Sequence, residues 1–289
     1  MKSINKYSTA NGLRMALEQR LNKISKLSGS DIMRLRRQVA FDRFLARIFH
    51  TPISGFIAKG GYVLELRMQR ARTTKDIDFS FIGNLNGAWH GKPEGLKQFL
   101  QDKVDVEMED FISFIVGDAS LDLENAPYGG FRFPIEAIMA GRRFCAFSID
   151  IAAGDAWFEP HETVSTHNWF DFAGIPNVCI PVISMEQQFA EKLHSYTQPR
   201  DYQNSRVKDL VDIVLMINDN KMNAGRIQEI SKVTFKKRDN SIYPPVFADP
   251  PKTWRRKYVE LARTCGIDEE INHAVVLVRE FCKEIGVIQ

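Results

Sequence analysis

Residues 76–83 read Asp-Ile-Asp-Phe-Ser-Phe-Ile-Gly and alternate polar with apolar side chains. A period of two is the period of a strand, so Ile77, Phe79 and Phe81 share one face while Asp76, Asp78 and Ser80 share the other. Carboxylates at i and i+2 of a strand stand about 7 Å apart. At that spacing like charges repel unless a cation or a basic side chain compensates them, and a divalent cation can sit between them. The chain must therefore build a sheet with one buried face and one face that handles charge. The segment before it strengthens the constraint. Phe-Ile-Ala-Lys ending at Lys59 is extended, the Gly60-Gly61 pair turns the chain, and Tyr-Val-Leu-Glu-Leu-Arg continues as a helix. Paired glycines let backbone approach a ligand closely, and free N–H groups at a helix start can hold phosphate. Arg70, Arg72 and Lys75 make the approach to the carboxylates basic, and Thr74 falls on the face of Asp76 and Asp78 by period two.

The rest of the chain supplies partners for that strand. Residues 8–22 and 31–49 read as helices, the second with Ile32, Leu35, Val39, Phe44, Leu45 and Ile48 near 3.6-residue spacing and Asp31 as its N-cap. Residues 94–115 read as an acidic amphipathic helix leading into Phe-Ile-Ser-Phe-Ile-Val-Gly. The runs FRFPIEAIMAG and FCAFSIDIAAGD read as paired strands. Asp150 lies in the second run between Ile149 and Ile151, where a lone acid is costly to desolvate without a partner. It supplies the third carboxylate that phosphoryl chemistry with Mg²⁺ calls for. A strand ends near Ile183, Ser184 caps a helix with Gln187 at the capping-box position, and Lys192 rides on that helix. In SRVKDLVDIVLMIND, Asp209 and Asp212 share a helix face beside Arg206, a pattern open to a salt bridge or to a site. Further helices follow from about residue 221, separated by the proline-rich NSIYPPVFADPPKTW. The expected fold class is α+β, a mixed α/β core with an N-terminal helical arm and a helical C-terminal half. The boundary falls near residue 184, giving units 1–183 and 184–289.

Several classes are excluded. With 44% hydrophobic and 26% charged residues the composition is that of a globular chain. The four cysteines form no C-x-x-C pair, which argues against a zinc knuckle or a disulfide framework and for a reducing, cytoplasmic home. No run reaches the roughly 18 apolar residues of a membrane span, and the N-terminus lacks an apolar signal-peptide core. The net charge of +3 conceals polarity: residues 1–50 carry 11 Lys/Arg against 3 Asp/Glu, and residues 94–125 carry 2 against 9. A basic arm of this kind attracts phosphate backbones. His161 and His167 lack a third ligand and are set aside as a metal pair. The aromatic run 166–170 reads as core or rim, and Lys236-Lys237-Arg238 as a solvated loop.

The ordered set Lys59-Gly60-Gly61, Arg72-Thr73-Thr74-Lys75-Asp76-Ile77-Asp78, Asp150, Glu191-Lys192-Leu193 and Arg206-Val207-Lys208-Asp209-Leu210-Val211-Asp212 resembles the AbiEii/MenT nucleotidyltransferase toxins of type IV toxin-antitoxin systems. These belong to the DNA polymerase β-like superfamily, and the resemblance runs from about residue 9 to 218. It implies a polymerase β-like nucleotidyltransferase core. Asp76, Asp78 and Asp150 would be the metal carboxylates, for Mg²⁺ or Mn²⁺, and Asp76, Asp78, Asp150, Lys192 and Asp209 the catalytic set. Lys59, Gly60, Gly61, Arg72, Thr74, Lys192, Arg206 and Asp212 would form the nucleotide-binding set, with Lys192 contacting phosphate. The implied activity transfers a nucleoside monophosphate from a nucleoside triphosphate to RNA, in particular the tRNA 3′ end, blocking translation and growth. A separate AbiEi-like antitoxin is the implied protein partner. The alternatives are transfer to a protein or small-molecule hydroxyl, and an inactive nucleotide- or RNA-binding module.

Overall fold

The computed structural model describes residues 6–51, 54–68, 70–82, 93–122, 129–154, 157–200, 203–238 and 242–289. Gly83, the end of the acidic run at 123–125, and Asn240-Ser241 of the proline-rich stretch lie outside them. The chain begins with two helices, α1 (Ala10–Ser28) and α2 (Ile32–Ile48). Thr9 caps α1 by accepting from the Gly12 N–H, and Asp31 caps α2 by accepting from the Met33 N–H at 2.7 Å. Helix α1 runs six residues past the expected end at 22 and stops at Gly29, whose φ of 70° closes the last turn. Leu13, Leu17 and Leu21 are its buried stripe.

The centre is a mixed sheet made, among the described residues, by β1 (Phe56–Lys59), β2 (Asp76–Phe81), β3 (Ile112–Val116), β4 (Leu121–Asp122), β5 (Gly130–Met139), β6 (Arg142–Ala153), β7 (Glu162–Ser165) and β8 (Cys179–Val182). Their order is β3-β5-β6-β2-β1-β8-β7, with β4 on the side of β5. Strand β2 runs antiparallel to β1 and parallel to β6, and β1 runs parallel to β8. Helix α3 (Gly60–Arg67) leaves β1 directly, and α4 (Pro93–Val104) precedes β3. The strands β5 and β6 form the expected hairpin. Ala140 and Gly141 turn it with φ of 54° and 68°, the left-handed pair that suits a tight hairpin. Helices α5 (Met185–Thr197), α6 (Val207–Asp219), α7 (Ala224–Lys237), α8 (Arg255–Cys265) and α9 (Ile271–Glu284) follow the sheet. No helix among the described residues is long and apolar enough to cross a membrane.

Apolar side chains gather in two clusters. One joins α1, α2, α4 and the sheet around Phe41, Phe44, Phe79, Phe133 and Ile149. The other joins α5 to α9 around Phe189, Leu210, Ile213 and Tyr258, and takes in Leu64 and Ala71 from the segment that approaches β2. Helix α3 is thus shared, and it carries the glycine turn between the two.

The helix expected over 94–115 stops at Val104; residues 105–111 are a connection that turns inward, and 112–115 already belong to β3. Asp110 drives this. Its side chain is fully buried and accepts from Arg43 Nε at 2.6 Å, from Arg47 Nη1 and Nη2 at 2.9 and 2.7 Å, and from the Ile112 N–H at 3.0 Å. Glu109 and Phe111 adopt positive φ on either side of it. Two arginines of the basic arm are therefore spent on a buried ion pair. A second buried acid on α2, Asp42, accepts from Tyr62 Oη at 2.5 Å, the His167 N–H at 2.9 Å, His167 Nδ1 at 3.0 Å and Trp169 Nε1 at 2.9 Å. This bonding holds His167 above its ordinary pKa although burial pulls the other way. His161 stands apart, 3.4 Å from Glu159, and the aromatic run 166–170 packs at the rim and core, with Phe170 buried.

Candidate active site

Sheet register builds the site. Lys59 pairs with Asp78 across β1 and β2, Asp78 with Asp150 across β2 and β6, and Asp150 with Arg132 across β6 and β5. Directly paired residues point to the same face, so the sheet carries a row of plus, minus, minus, plus. Asp76 lies two residues along β2 from Asp78, on the same side, opposite Ser148. Three carboxylates from two neighbouring strands thus converge on one face, with a cation at each end of the row.

The row is electrostatically unfinished. Asp78 is pushed up to about 7 from its ordinary 3.8, first by burial and then by the negative charges of Asp76 and Asp150, against the weaker pull of Lys59 and Lys192. Its neighbours are better served. Asp76 accepts from Thr74 Oγ1 at 2.6 Å. Asp150 accepts from both Nε and Nη2 of Arg132 at 2.6 Å, and the same guanidinium lies 3.8 Å from Asp76. Among the described residues no three His, Cys, Asp or Glu side chains are arranged to hold a metal ion. The expected trio Asp76, Asp78 and Asp150 is on one face, but Arg132 covers both oxygens of Asp150. The donor chemistry nonetheless fits a hard cation: all three are carboxylates, and burial with the charges of Asp76 and Asp150 opposes an ionised Asp78 that a cation would favour.

The glycine turn presses against this row. Gly60 has φ of 73°, and a Cβ there would overlap the Asp78 carboxyl. Its carbonyl accepts from Gln188 Nε2 on α5 at 2.6 Å. At Gly61 a Cβ would come to 3.1 Å of Thr74 Oγ1 and 3.4 Å of Arg72 Nη2. Gly60→Ala is therefore expected to lower unfolding stability by about 2 kcal/mol or more through left-handed strain and the clash, whereas Gly61→Ala costs less. A pair of urea melts checks the order of the two.

Behind the row lies a second charged group. Lys192 Nζ is 2.6 Å from Asp212 and 3.1 Å from Asp209, Arg72 binds Asp212 through Nε and Nη2 at 2.9 and 2.7 Å, and Arg206 stands 3.9 Å from Asp209. Burial would lower the pKa of Lys192 and of Arg72, but the facing carboxylates outweigh it, so both stay charged. The helix face of Asp209 and Asp212 is thus a salt-bridge network, and it abuts the site because Arg72 and Lys192 both act on it from within reach of Asp78. Lys192, expected as a point charge for phosphate, is held by two acids in this state. Lys59 lies 3.4 Å from Glu191, which also receives Arg238 at 3.3 Å. The reading of Lys236-Lys237-Arg238 as a solvated loop is corrected here: the first two end helix α7 and the third turns inward to Glu191.

Every expected site residue falls either in the carboxylate row with its glycine turn or in this adjoining network. Arg132 was missed. It sits in FRFPIEAIM, where the alternation that buries Phe133, Ile135 and Ala137 leaves Arg132 on the face of Asp150. That periodicity was the available signal, but pairing with Asp150 needs the hairpin register.

The family described as nucleotidyl transferase AbiEii toxin, type IV TA system, matches residues 43–277. Among curated proteins none matches the sequence. MenT4, the nucleotidyltransferase toxin Rv2826c from Mycobacterium tuberculosis H37Rv, superimposes with a TM-score of 0.53 at 15% identity, over 92% of this chain and 96% of that one. JHP933 from Helicobacter pylori gives a TM-score of 0.41 at 13% identity, over 87% of this chain and 94% of its own. The first of these similarities carries the fold, and the sequence match carries the family. Extending over most of the chain and over every element of the carboxylate row, it places this protein among the AbiEii nucleotidyltransferase toxins of type IV toxin-antitoxin systems.

Proposed function

We propose that this toxin transfers a nucleoside monophosphate from a nucleoside triphosphate to an RNA hydroxyl, with the tRNA 3′ end as the acceptor, and so stops translation. The observation that carries the reading is the row Lys59, Asp78, Asp150 and Arg132, with Asp76 beside it and the Gly60-Gly61 turn against it. Asp76, Asp78 and Asp150 are the residues that would hold Mg²⁺ or Mn²⁺, which when bound polarises the α-phosphate and balances its charge. In the transfer, the acceptor oxygen bonds to the α-phosphorus, the bond from that phosphorus to the bridging oxygen breaks, and pyrophosphate leaves. A carboxylate oxygen of Asp150 receives the hydroxyl proton. Backbone N–H groups of the glycine turn and the Lys59 ammonium orient the triphosphate. Arg72, Lys192, Asp209, Asp212 and Arg206 keep the helices behind the row in place and leave a positive field facing the phosphates. The exposed Arg20, Lys23 and Lys26 of α1 favour a polyanionic acceptor over a small neutral one. We assign residues 1–183 to the arm and catalytic core and 184–289 to a helical domain packed against it, acting in the cytoplasm under an AbiEi-like antitoxin.

Incubation with Mg²⁺, total tRNA and each α-labelled nucleoside triphosphate in turn tests the acceptor. Label on tRNA from one nucleotide, absent with Asp76→Ala, is the expected result. Label on protein alone would move the acceptor to a protein hydroxyl, and no label with any nucleotide would favour the inactive binding module.

A further inference from the structure

We propose that Arg132 is a resident counter-cation of the carboxylate row, so that a divalent metal ion must displace its guanidinium to reach Asp150 and Asp76. The inference rests on the reading of this row as a metal-binding one. Arg132 stands in register with Asp150 and grips both carboxylate oxygens at 2.6 Å, while Nη2 reaches to 3.8 Å of Asp76. It therefore occupies the space between acids of two strands that a bridging cation needs. Lys59 and Lys192 act on Asp78 but are shared with acids outside the row, Lys59 with Glu191 and Lys192 with Asp209 and Asp212.

Exposure decides which partner moves. The side chain of Arg132 is 35% exposed and that of Asp150 is 14% exposed, so the arginine has open solvent to swing into while the acid stays with its strand. The pair is bidentate and half-buried, so a monovalent ion would not break it, but a dication brings twice the charge to the same carboxylates. The same arrangement accounts for the absence, among the described residues, of three ligands gathered around one point. The grip of Arg132 keeps Asp150 turned along the sheet, toward β5. A guanidinium cannot lose its proton to step aside, so the exchange is a competition between two cations for one set of oxygens.

Titration of Mn²⁺ alone, followed by the loss of its free-ion resonance signal, tests this in wild type, Arg132→Gln and Arg132→Lys, with folding checked by circular dichroism. Loss of the competing charge is expected to tighten Mn²⁺ binding roughly tenfold in Arg132→Gln. Arg132→Lys, which keeps the charge but not the two-pronged grip, should fall between, and it stands in if the glutamine variant fails to fold. Arg143→Gln is the control, since Arg143 pairs with Glu136 on an exposed stretch of the same hairpin, and it should bind as wild type does. The metal-free thermal midpoint of Arg132→Gln should drop and recover on adding Mn²⁺. Equal or weaker Mn²⁺ binding in Arg132→Gln would overturn the role of Arg132 and leave the metal reading intact. Absence of binding in every folded variant would overturn both.

Discussion

Asp78→Asn is expected to cut nucleotide transfer by about 10³-fold or more and, in the metal-free protein, to raise the thermal midpoint. The two effects have one cause. Asp78 is held near 7 rather than 3.8 because burial and the charges of Asp76 and Asp150 oppose its ionisation. Between those values the folded chain binds more protons than the unfolded one, so this residue makes stability fall as pH rises from about 4 through about 7, and above 7 the penalty is complete. Asparagine keeps the shape and removes the charge. The variant's stability should therefore be flatter across that window, with the gain over wild type greatest above pH 7. Melts at pH 5 and pH 8 with chelator present, beside transfer assays with metal, read both effects. A variant that loses activity and also loses stability at pH 8 would assign Asp78 to the framework.

Asp110→Ala is expected to lower unfolding stability by about 3–5 kcal/mol, because it leaves Arg43 and Arg47 buried without their counter-charge. Both guanidiniums converge on this one fully buried carboxylate, and Arg47 is itself almost entirely enclosed. Removing one partner of such a pair costs far more than the intact pair contributes. Lys97→Ala offers the contrast: its ion pair to Asp118 at 2.7 Å is exposed, and its loss should cost less than about 1 kcal/mol. Urea melts of the two variants give the comparison. Similar small losses in both would mean that the arm is not anchored through Asp110.

These two acids also mark what the sequence can and cannot disclose. Asp78 was legible because a period-two run fixes its face and its spacing from Asp76 without reference to any other segment. The glycine turn was legible for the same local reason, since Lys59 ends a strand and Gly60-Gly61 open the helix that follows it directly. Asp110 was hidden in a run of acids that continues the composition of the helix before it, and only tertiary contact with α2 shows that the helix ends and the chain dives inward. Arg132 was hidden for a related reason: its partner is set by the register of β5 on β6, which includes a shift between Ala137 and Ile138. The helix face of Asp209 and Asp212 could be drawn from spacing alone, but its choice of Lys192 and Arg72 as partners depends on how α6 packs behind the site.

Nucleotidyl transfer differs from every other use of a nucleoside triphosphate in which phosphate stays behind. The most direct measurement supplies the active nucleotide labelled at the α-phosphate in one reaction and at the γ-phosphate in another, with metal and RNA present. α-Label is expected to stay on the acceptor and γ-label to leave as pyrophosphate, both lost with Asp76→Ala. Retention of γ-label on the acceptor, or release of γ-label as inorganic phosphate with no α-label transferred, would contradict nucleotidyl transfer.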